Sequence, residues 1–207
     1  MKKSILLLLG FLALSCSNSS KIEEKYWVEE KGNYIPEILY FKNNLMENLN
    51  KVKTVGYEIK DNSILIKEGA TTLNVEIKEI TSELMTLVVN NKIITYKEAV
   101  DSDFILGNWK SGDYKMRFKN YDGELDYEIE VNTNKLWKKK FSDDYEKDYE
   151  LRQKAVEEAE KLNEEGSFTY TNGALILDGK KCKVKMSEDK KELTLELNGK
   201  STTFKRY

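Results

Sequence analysis

The sequence of 207 residues contains no histidine, a single proline and two cysteines. Without histidine, Ser-His-Asp and Cys-His catalysis and the histidine-containing zinc sites are excluded. Glycine-rich phosphate-binding loops are also absent, and no spacing singles out a catalytic pair among the 36 acidic residues. We interpret Asp101, Asp103 and the pair Asp143–Asp144 as turn or cap carboxylates rather than cation ligands. The sequence therefore predicts a protein that is not an enzyme and that binds neither a cofactor nor a metal.

Long apolar runs are missing as well, because the longest one covers only residues 5–14. About 20 apolar residues are needed to cross a bilayer as a helix. Lys2 and Lys3 precede the run, which is typical of a secretory signal. We predict that residues 1–15 are a signal peptide.

The apolar run ends in Leu-Ala-Leu-Ser-Cys, residues 12–16. This segment resembles the lipobox of bacterial lipoproteins, in which the cysteine is acylated, for example with palmitate, and becomes the new N-terminus. The resemblance implies lipidation of Cys16, with residues 16–24 as lipidated N-terminus and linker. It also implies a place in the bacterial cell envelope, anchored to a membrane, which is the outer membrane if the source is Gram-negative. The alternative is a conventional secretory signal followed by an incidental cysteine.

Neither charge nor cysteine content points to a macromolecular partner or a disulfide. Loss of Lys2 and Lys3 with the signal leaves 32 basic against 36 acidic side chains, a net charge of −4, so we predict no nucleic-acid partner. Cys182 would then be the one free thiol, flanked by lysines that could activate it. Since Cys182 alternates with these lysines and shares a face with Val184 and Met186, we interpret it as a small buried hydrophobe.

The sequence contains an internal repeat. The segment from Glu83 matches the segment from Lys191 at an offset of 108, and the segment from Tyr57 matches that from Phe168 at an offset of 111. Two-residue turn signals recur in both copies, among them Asn198-Gly199 and Asn90-Asn91. Alternation of Leu193, Leu195 and Leu197 with polar residues indicates half-buried strands. We predict a mainly β, antiparallel fold in two related modules, 25–100 and 103–207.

Each module is also predicted to contain one inserted helix. In 37–52, apolar side chains recur at steps of three and four residues after Pro36 (Ile38, Phe41, Leu45, Leu49 and Val52). The second predicted helix covers 143–165 and stops at Gly166. Its dense charge is typical of a solvated helix face.

The second module resembles the lipocalins and lipocalin-like bacterial lipoproteins. Gly107-Asn108-Trp109 matches the Gly-x-Trp of their first strand, and Arg206 stands in the last strand. The resemblance implies that Arg206 packs across Trp109 and closes one end of a small eight-stranded barrel. The predicted strands are 113–119, 124–131, 135–141, 167–171, 174–178, 181–187, 192–198 and 201–206. The first module has Glu98 in place of Arg206, which indicates a degenerate copy or half of a composite sheet.

Aromatic residues of the second module are the candidates for a ligand site. They are Trp109, Tyr114, Phe118, Tyr127, Phe168, Tyr170 and Phe204. If they point into a barrel, they line an apolar ligand cavity or fill a core, and both alternatives stand. The leading hypothesis is a membrane-anchored lipoprotein whose lipocalin-like domain binds a small apolar ligand. The alternative is a non-catalytic envelope or host-interaction lipoprotein with filled barrels and no ligand.

Overall fold

The computed structural model describes residues 20–31, 33–131, 149, 153–154, 157 and 163–207. Cys16 and the predicted signal peptide lie outside this part of the chain. The chain divides into two compact units between Asp103 and Phe104. Over the described residues each unit is a closed antiparallel barrel of eight strands, so the predicted mainly β fold is confirmed.

The first barrel is an up-and-down meander in which each strand pairs with the next. Closure comes from β1 and β8, where Trp27 lies opposite Glu98. Its strands are β1 Tyr26–Glu29, β2 Ile38–Lys42, β3 Leu45–Asn48, β4 Lys53–Lys60, β5 Ser63–Glu68, β6 Thr71–Ile80, β7 Leu84–Val89 and β8 Lys92–Glu98.

The second barrel repeats this topology and closes through β9 and β16, where Trp109 lies opposite Arg206. A 3₁₀ turn at Asp103–Ile105 precedes its first strand. Its strands are β9 Gly107–Ser111, β10 Tyr114–Tyr121, β11 Glu124–Val131, β12 Glu164–Thr171, β13 Ala174–Leu177, β14 Lys180–Met186, β15 Glu192–Leu197 and β16 Lys200–Arg206.

The matching sequence segments occupy equivalent strand pairs in the same register. Met85 pairs with Tyr96 in β7–β8, and Leu193 pairs with Phe204 in β15–β16, which is the offset of 108 at both positions. The registers of β4–β5 and β12–β13 agree in the same way at the offset of 111. A strand position in one barrel therefore identifies its counterpart in the other.

The predicted hairpin turns have the backbone that their residues favour. Positive φ angles occur at both residues of Asn90-Asn91 and of Asn198-Gly199. Asparagine and glycine adopt this left-handed region at low cost, and a two-residue turn of type I′ requires it twice. The chain therefore reverses at these dipeptides and keeps the flanking strands in register.

The predicted helix over 37–52 is wrong, because this segment forms the hairpin β2–β3. Asn43 and Asn44 supply the turn, with φ angles of 52° and 60°. Of the apolar residues spaced at helical steps, Phe41 is fully buried whereas Leu45 is 51% exposed. The helical spacing was a coincidence of two strands joined by a tight turn, and the two asparagines were the stronger signal.

The second predicted helix, 143–165, lies mostly outside the described residues. Tyr149, Gln153, Lys154 and Glu157 are helical, but Glu164 and Glu165 already belong to β12. Gly166 is not a helix stop, since it pairs with Tyr127 in the sheet. Among the predicted strands, 135–141 lies outside the described residues, and 107–111 completes the eight.

The segment predicted as a linker contributes to the first barrel. Ile22 is fully buried, and the backbone N–H of Glu24 donates to the carbonyl of Phe41. Glu23 also forms a parallel bridge with Phe41. Residues 22–24 are therefore part of the first packed unit.

Candidate functional site

The first barrel contains a cavity of about 340 Å³. Aliphatic side chains from seven of its strands, β2 to β8, form most of the wall: Leu39, Met46, Val55, Ile64, Ile66, Leu73, Val75, Leu87, Val89 and Ile94. Alternation along each strand directs these residues inward and their polar neighbours outward. The volume falls in the range of small-molecule sites, and the wall is suited to an aliphatic group.

One end of this barrel is closed by aromatic rings. The indole of Trp27 is fully buried, and its Nε1 donates to the carbonyl of Ile22 at 3.1 Å. Phe41 and Tyr57 meet edge to face above it, with ring centroids 5.1 Å apart. The Tyr57 hydroxyl donates to Glu23 at 2.7 Å, which satisfies its polar end. The cavity therefore has a packed floor.

The opposite end carries the polar groups of the cavity. Because β1 ends at Glu29, β3 ends at Asn48 and β8 begins at Lys92, these strand ends share one rim of the antiparallel barrel. The Glu29 carboxylate accepts from Asn33 at 3.1 Å and from the backbone N–H of Glu37 at 3.3 Å. We refer to this end of the barrel as the mouth.

A second carboxylate, Glu37, lies next to Glu29 at the mouth. It accepts from the hydroxyl of Tyr96 at 3.2 Å and pairs with Lys51. Burial, together with the negative charges of Glu37 and Glu29, raises the pKa of the Tyr96 hydroxyl well above its usual value. Tyr96 therefore stays protonated at neutral pH and donates a hydrogen bond at the top of the apolar interior.

Two lysines complete the mouth. Lys51 pairs with Glu37, and Lys53 pairs with Glu68 at 2.6 Å. Their side chains are 63% and 48% exposed, whereas that of Glu37 is 24% exposed. The positive charges therefore lie on the solvent side of the mouth and the Glu37 carboxylate lies deeper.

In the second barrel, most of the predicted aromatic candidates face a packed interior. Trp109, Phe118, Tyr127, Phe168 and Phe204 belong to one buried cluster, and Tyr170 packs against it. The rings of Phe118 and Phe168 meet edge to face with centroids 5.0 Å apart. Tyr114 is a wrong prediction, because it is 53% exposed. Tyr114 shares the strand face of Met116 and Phe118, but as the first residue of β10 it lies at the end of the barrel, where its side chain reaches solvent.

The first barrel has a methionine where the second has a tyrosine, and this explains part of the open space in the first interior. Phe41 pairs with Met46 in the first barrel, and its counterpart Phe118 pairs with Tyr127 in the second. The Tyr127 ring is buried, and its hydroxyl donates to Asp178 at 2.8 Å. Methionine is narrower and more flexible than a tyrosine ring, so the first barrel keeps open space at this position.

Gly166 gives Asp178 the space for this contact. A Cβ atom at Gly166 would overlap the Asp178 carboxylate. Burial and the nearby Asp178 charge raise the pKa of Tyr127 to about 12, so the hydroxyl stays protonated and donates. Tyr127 and Gly166 occupy the positions that correspond to Met46 and Val55 in the wall of the first-barrel cavity.

The structure brings Arg206 and Trp109 together. The guanidinium carbon lies 4.3 Å from the centroid of the indole. The same guanidinium donates to the carbonyls of Phe104 at 2.6 Å, Leu106 at 3.0 Å and Lys190 at 3.1 Å. Burial lowers the pKa of Arg206 to about 9, which still leaves it charged at neutral pH. Arg206 therefore links the last strand to three backbone carbonyls from two loops, in addition to the ring.

The first barrel closes with different chemistry at the same position. Glu98 is the counterpart of Arg206, and it binds Lys25 at 2.9 Å. The Lys25 ammonium lies 6.0 Å from the centroid of the Trp27 ring. Here the cation is Lys25, which directly precedes β1, rather than a residue of the last strand. The side chains of Lys25 and Glu98 are both partly exposed.

Cys182 is 3% exposed and lies in the core cluster of the second barrel. Burial raises the pKa of its thiol, although the charge of Lys180 acts in the opposite direction. A raised pKa reduces the thiolate fraction and so the reactivity of a cysteine. The side chain therefore acts as a small hydrophobe.

A second concavity, of about 720 Å³, lies on the outer face of β10–β12. It is lined by carboxylates, including Glu124, Asp126 and Glu165, and is open to solvent. Among the described residues no group of three or more metal-ligating acids or cysteines is close enough to hold an ion. This surface therefore offers a ligand less enclosure than the first-barrel cavity.

The cavity lining in the first barrel was not among the sequence-predicted site residues. Alternation of apolar and polar residues predicts which face of a strand is buried, but it does not distinguish a filled core from an open one. Within the described residues no helix is both long and apolar enough to cross a bilayer. Comparison of the chain with protein-family models, with curated proteins and with solved structures gives no match.

Proposed function

We propose that this protein is a bacterial envelope lipoprotein, anchored through Cys16, whose first barrel binds a small apolar ligand. The observation that carries the proposal is the cavity of about 340 Å³ with an aliphatic wall, a packed floor and a polar mouth. Such an interior binds by removing apolar surface from water, while a few polar groups at one end orient the ligand. Binding rather than catalysis is favoured, because both lysines of the mouth are held in ion pairs, Lys51 with Glu37 and Lys53 with Glu68.

The anchor is an independent part of this proposal. Its support is the lipobox-like segment that ends in Cys16, together with the short chain between Cys16 and the buried Ile22. Six residues reach at most about 20 Å, so the anchor would hold the closed end of the first barrel near the membrane surface. The mouth, at the opposite end of the strands, would then be accessible to ligand from the aqueous side.

A second candidate function, an envelope or host-interaction protein without a ligand, is favoured by the second barrel. Its aromatic side chains pack together in the interior, as in small barrels with a filled core. In that case the second barrel serves as a rigid body and its outer surface makes the contacts. The two functions are compatible, because they use different barrels.

Ligand binding in the cavity can be tested with a larger side chain that fills part of it. Val89 lines the cavity and is half-buried, so Val89→Phe should reduce the free volume with little strain at the core. We expect wild-type protein, extracted from its own host into lipid nanodiscs, to show an added small-molecule mass in native mass spectrometry that disappears on denaturation. Occupancy should fall at least about fivefold in Val89→Phe, since the ligand loses space along its length.

The matched control is Val88→Phe, one residue away on the outer face of the same strand. Its occupancy should equal that of the wild type. Ligand binding in the first barrel is refuted if the wild type carries no added mass, or if Val89→Phe retains as much ligand as Val88→Phe.

The anchor is tested by replacing its acceptor. Cys16→Ala should abolish incorporation of a clickable palmitate analogue in the native host, because the thiol that takes the acyl group is gone. Cys182→Ala, which removes the other thiol, should incorporate the analogue at the wild-type level. Equal labelling of wild type and Cys16→Ala would exclude the anchor.

A further inference from the structure

The interior of the first barrel has an aliphatic wall and room for a ligand of about ten carbon atoms. At about 30 Å³ for each water-sized group, 340 Å³ holds about eleven such groups. The wall is mostly branched aliphatic and includes the flexible side chain of Met46. A single alkyl chain of about ten carbons fits this volume and contacts the wall on all sides.

At the mouth the deeper groups are negative. The Glu29 and Glu37 carboxylates both act on the Tyr96 hydroxyl, so their field reaches the top of the apolar interior. Glu29 accepts hydrogen bonds from neutral donors only, and within the described residues no lysine or arginine lies within 4.0 Å of it. One carboxylate facing the cavity thus remains without a counter-charge.

The lysines cannot provide an equivalent site for an anion. Lys51 and Lys53 are already paired with Glu37 and Glu68, and both extend toward solvent. The cavity-lining charges are three carboxylates and two ammonium groups. An anionic head would therefore meet net negative charge, whereas a cationic head would neutralise it.

We propose that the first-barrel cavity takes a single-chain amphiphile with a positively charged amine head, its tail among Leu39, Ile66 and Leu87 and its head beside Glu29. This inference rests on the proposed ligand-binding function and adds the class of ligand. Each polar group then has a role: Glu29 accepts from the ammonium, Tyr96 and Asn33 hold the two carboxylates in place, and Lys51 offsets Glu37.

The test uses the full mature chain in lipid nanodiscs and three photoreactive probes. The probes share an alkyl chain of about ten carbons with a diazirine near its end and differ only in the head: ammonium, hydroxyl or carboxylate. Cross-links to cavity-lining residues are quantified by peptide mass spectrometry, which separates cavity binding from partition into lipid. We expect the ammonium probe to label the cavity about tenfold more than the carboxylate probe, with the hydroxyl probe between them.

Variants at the mouth identify the groups responsible. Glu29→Gln keeps an acceptor oxygen but removes the charge, so ammonium labelling should fall to within about twofold of hydroxyl labelling. Glu76→Gln, an exposed change on the outer face of β6, should leave the ratio unchanged. Lys51→Met removes the counter-charge of Glu37 from an exposed position and should raise ammonium labelling at least about twofold.

The outcomes separate this inference from the function on which it rests. If no probe labels the cavity, the proposed ligand binding itself fails. If all three probes label it equally, or the carboxylate probe is preferred, the cavity binds apolar chains but the cationic head is wrong. If Lys51→Met and Glu29→Gln are both labelled by the ammonium probe as strongly as the wild type, the assigned role of the mouth carboxylates is wrong.

Discussion

Replacing Arg206 with alanine should lower the free energy of unfolding of the second barrel by about 3–5 kcal/mol. The cation–π contact with Trp109 accounts for about 1–2 kcal/mol of this when desolvated. The rest comes from the buried carbonyls of Phe104 and Leu106, which lose a charged donor and cannot reach water. Because the chain has two units, the measurement is hydrogen exchange resolved by peptide, read in β9, β15 and β16.

The control is the neighbouring residue on the opposite face of the same strand. The Lys205 side chain is 76% exposed and pairs with Glu192 at 3.2 Å. Lys205→Ala should therefore cost less than about 0.5–1 kcal/mol. Arg206→Lys should recover only part of the loss, since an ammonium lacks the planar fork that reaches several carbonyls at once. Equal protection of Arg206→Ala and Lys205→Ala would contradict the role of the guanidinium in barrel closure.

The first barrel closes with the same strand register as the second but has no arginine at the position of Arg206. Glu98 occupies the position of Arg206 and pairs with Lys25. The side chain of Lys25 is 29% exposed and that of Glu98 is 46% exposed. Exposed pairs of this kind contribute at most about 1 kcal/mol. Closure of the first barrel must therefore depend on packing around Trp27 rather than on a buried cation.

Strand positions could be predicted from the sequence, because local signals define them. The alternation of Leu193, Leu195 and Leu197 followed by Asn198-Gly199 predicts a half-buried strand and a tight turn, and both are present in β15–β16. Each signal lies within about ten residues, so no knowledge of the rest of the chain is needed. The same applies to the repeat, whose two copies carry these signals at matching places.

The hairpin 38–48 shows where local patterns mislead. Ile38, Phe41 and Leu45 follow a helical spacing, yet the backbone reverses at Asn43-Asn44 and sends Leu45 to solvent. Two short strands with a two-residue turn reproduce steps of three and four by chance. Turn residues decide such cases better than apolar spacing does.

The cavity could not be predicted from the sequence, because it depends on which residues of different strands face each other, and local patterns do not show this. Whether Phe41 faces Met46 or a larger side chain is set by the register of β2 and β3, and its counterpart Phe118 faces Tyr127. Gly166 and Asp178 are 12 positions apart, and both contact Tyr127: Gly166 pairs with it in the sheet, and Asp178 accepts from its hydroxyl. The sequence predicted apolar inner faces in both modules, but the difference in volume required the pairings.

The second large effect is expected at Trp27, where Trp27→Ala should lower the stability of the first barrel by about 3–5 kcal/mol. The change opens a cavity at the packed floor and leaves the Ile22 carbonyl without its indole donor. Residues 20–25 would then be held mainly by the contacts of Glu23 and Glu24 with Phe41 and Tyr57, so this segment should open more often. Trypsin should then cleave after Lys21 and Lys25 at least about tenfold faster than in the wild type, and hydrogen exchange should accelerate in β1 and β8.

Two further variants separate the contributions of the ring and its hydrogen bond. Trp27→Phe keeps most of the apolar ring and loses the donor to Ile22, so its cost should be about 1–3 kcal/mol. Ile93→Ala, at a position that is 60% exposed on β8, should cost less than about 1 kcal/mol and leave the cleavage rate unchanged. If segment 20–25 stays protected in Trp27→Ala, then Ile22 is held by other contacts and the indole does not fasten this segment to the barrel. Fast cleavage in Trp27→Ala, an intermediate rate in Trp27→Phe and the wild-type rate in Ile93→Ala would identify the indole as the link between the barrel floor and the chain that leads to Cys16.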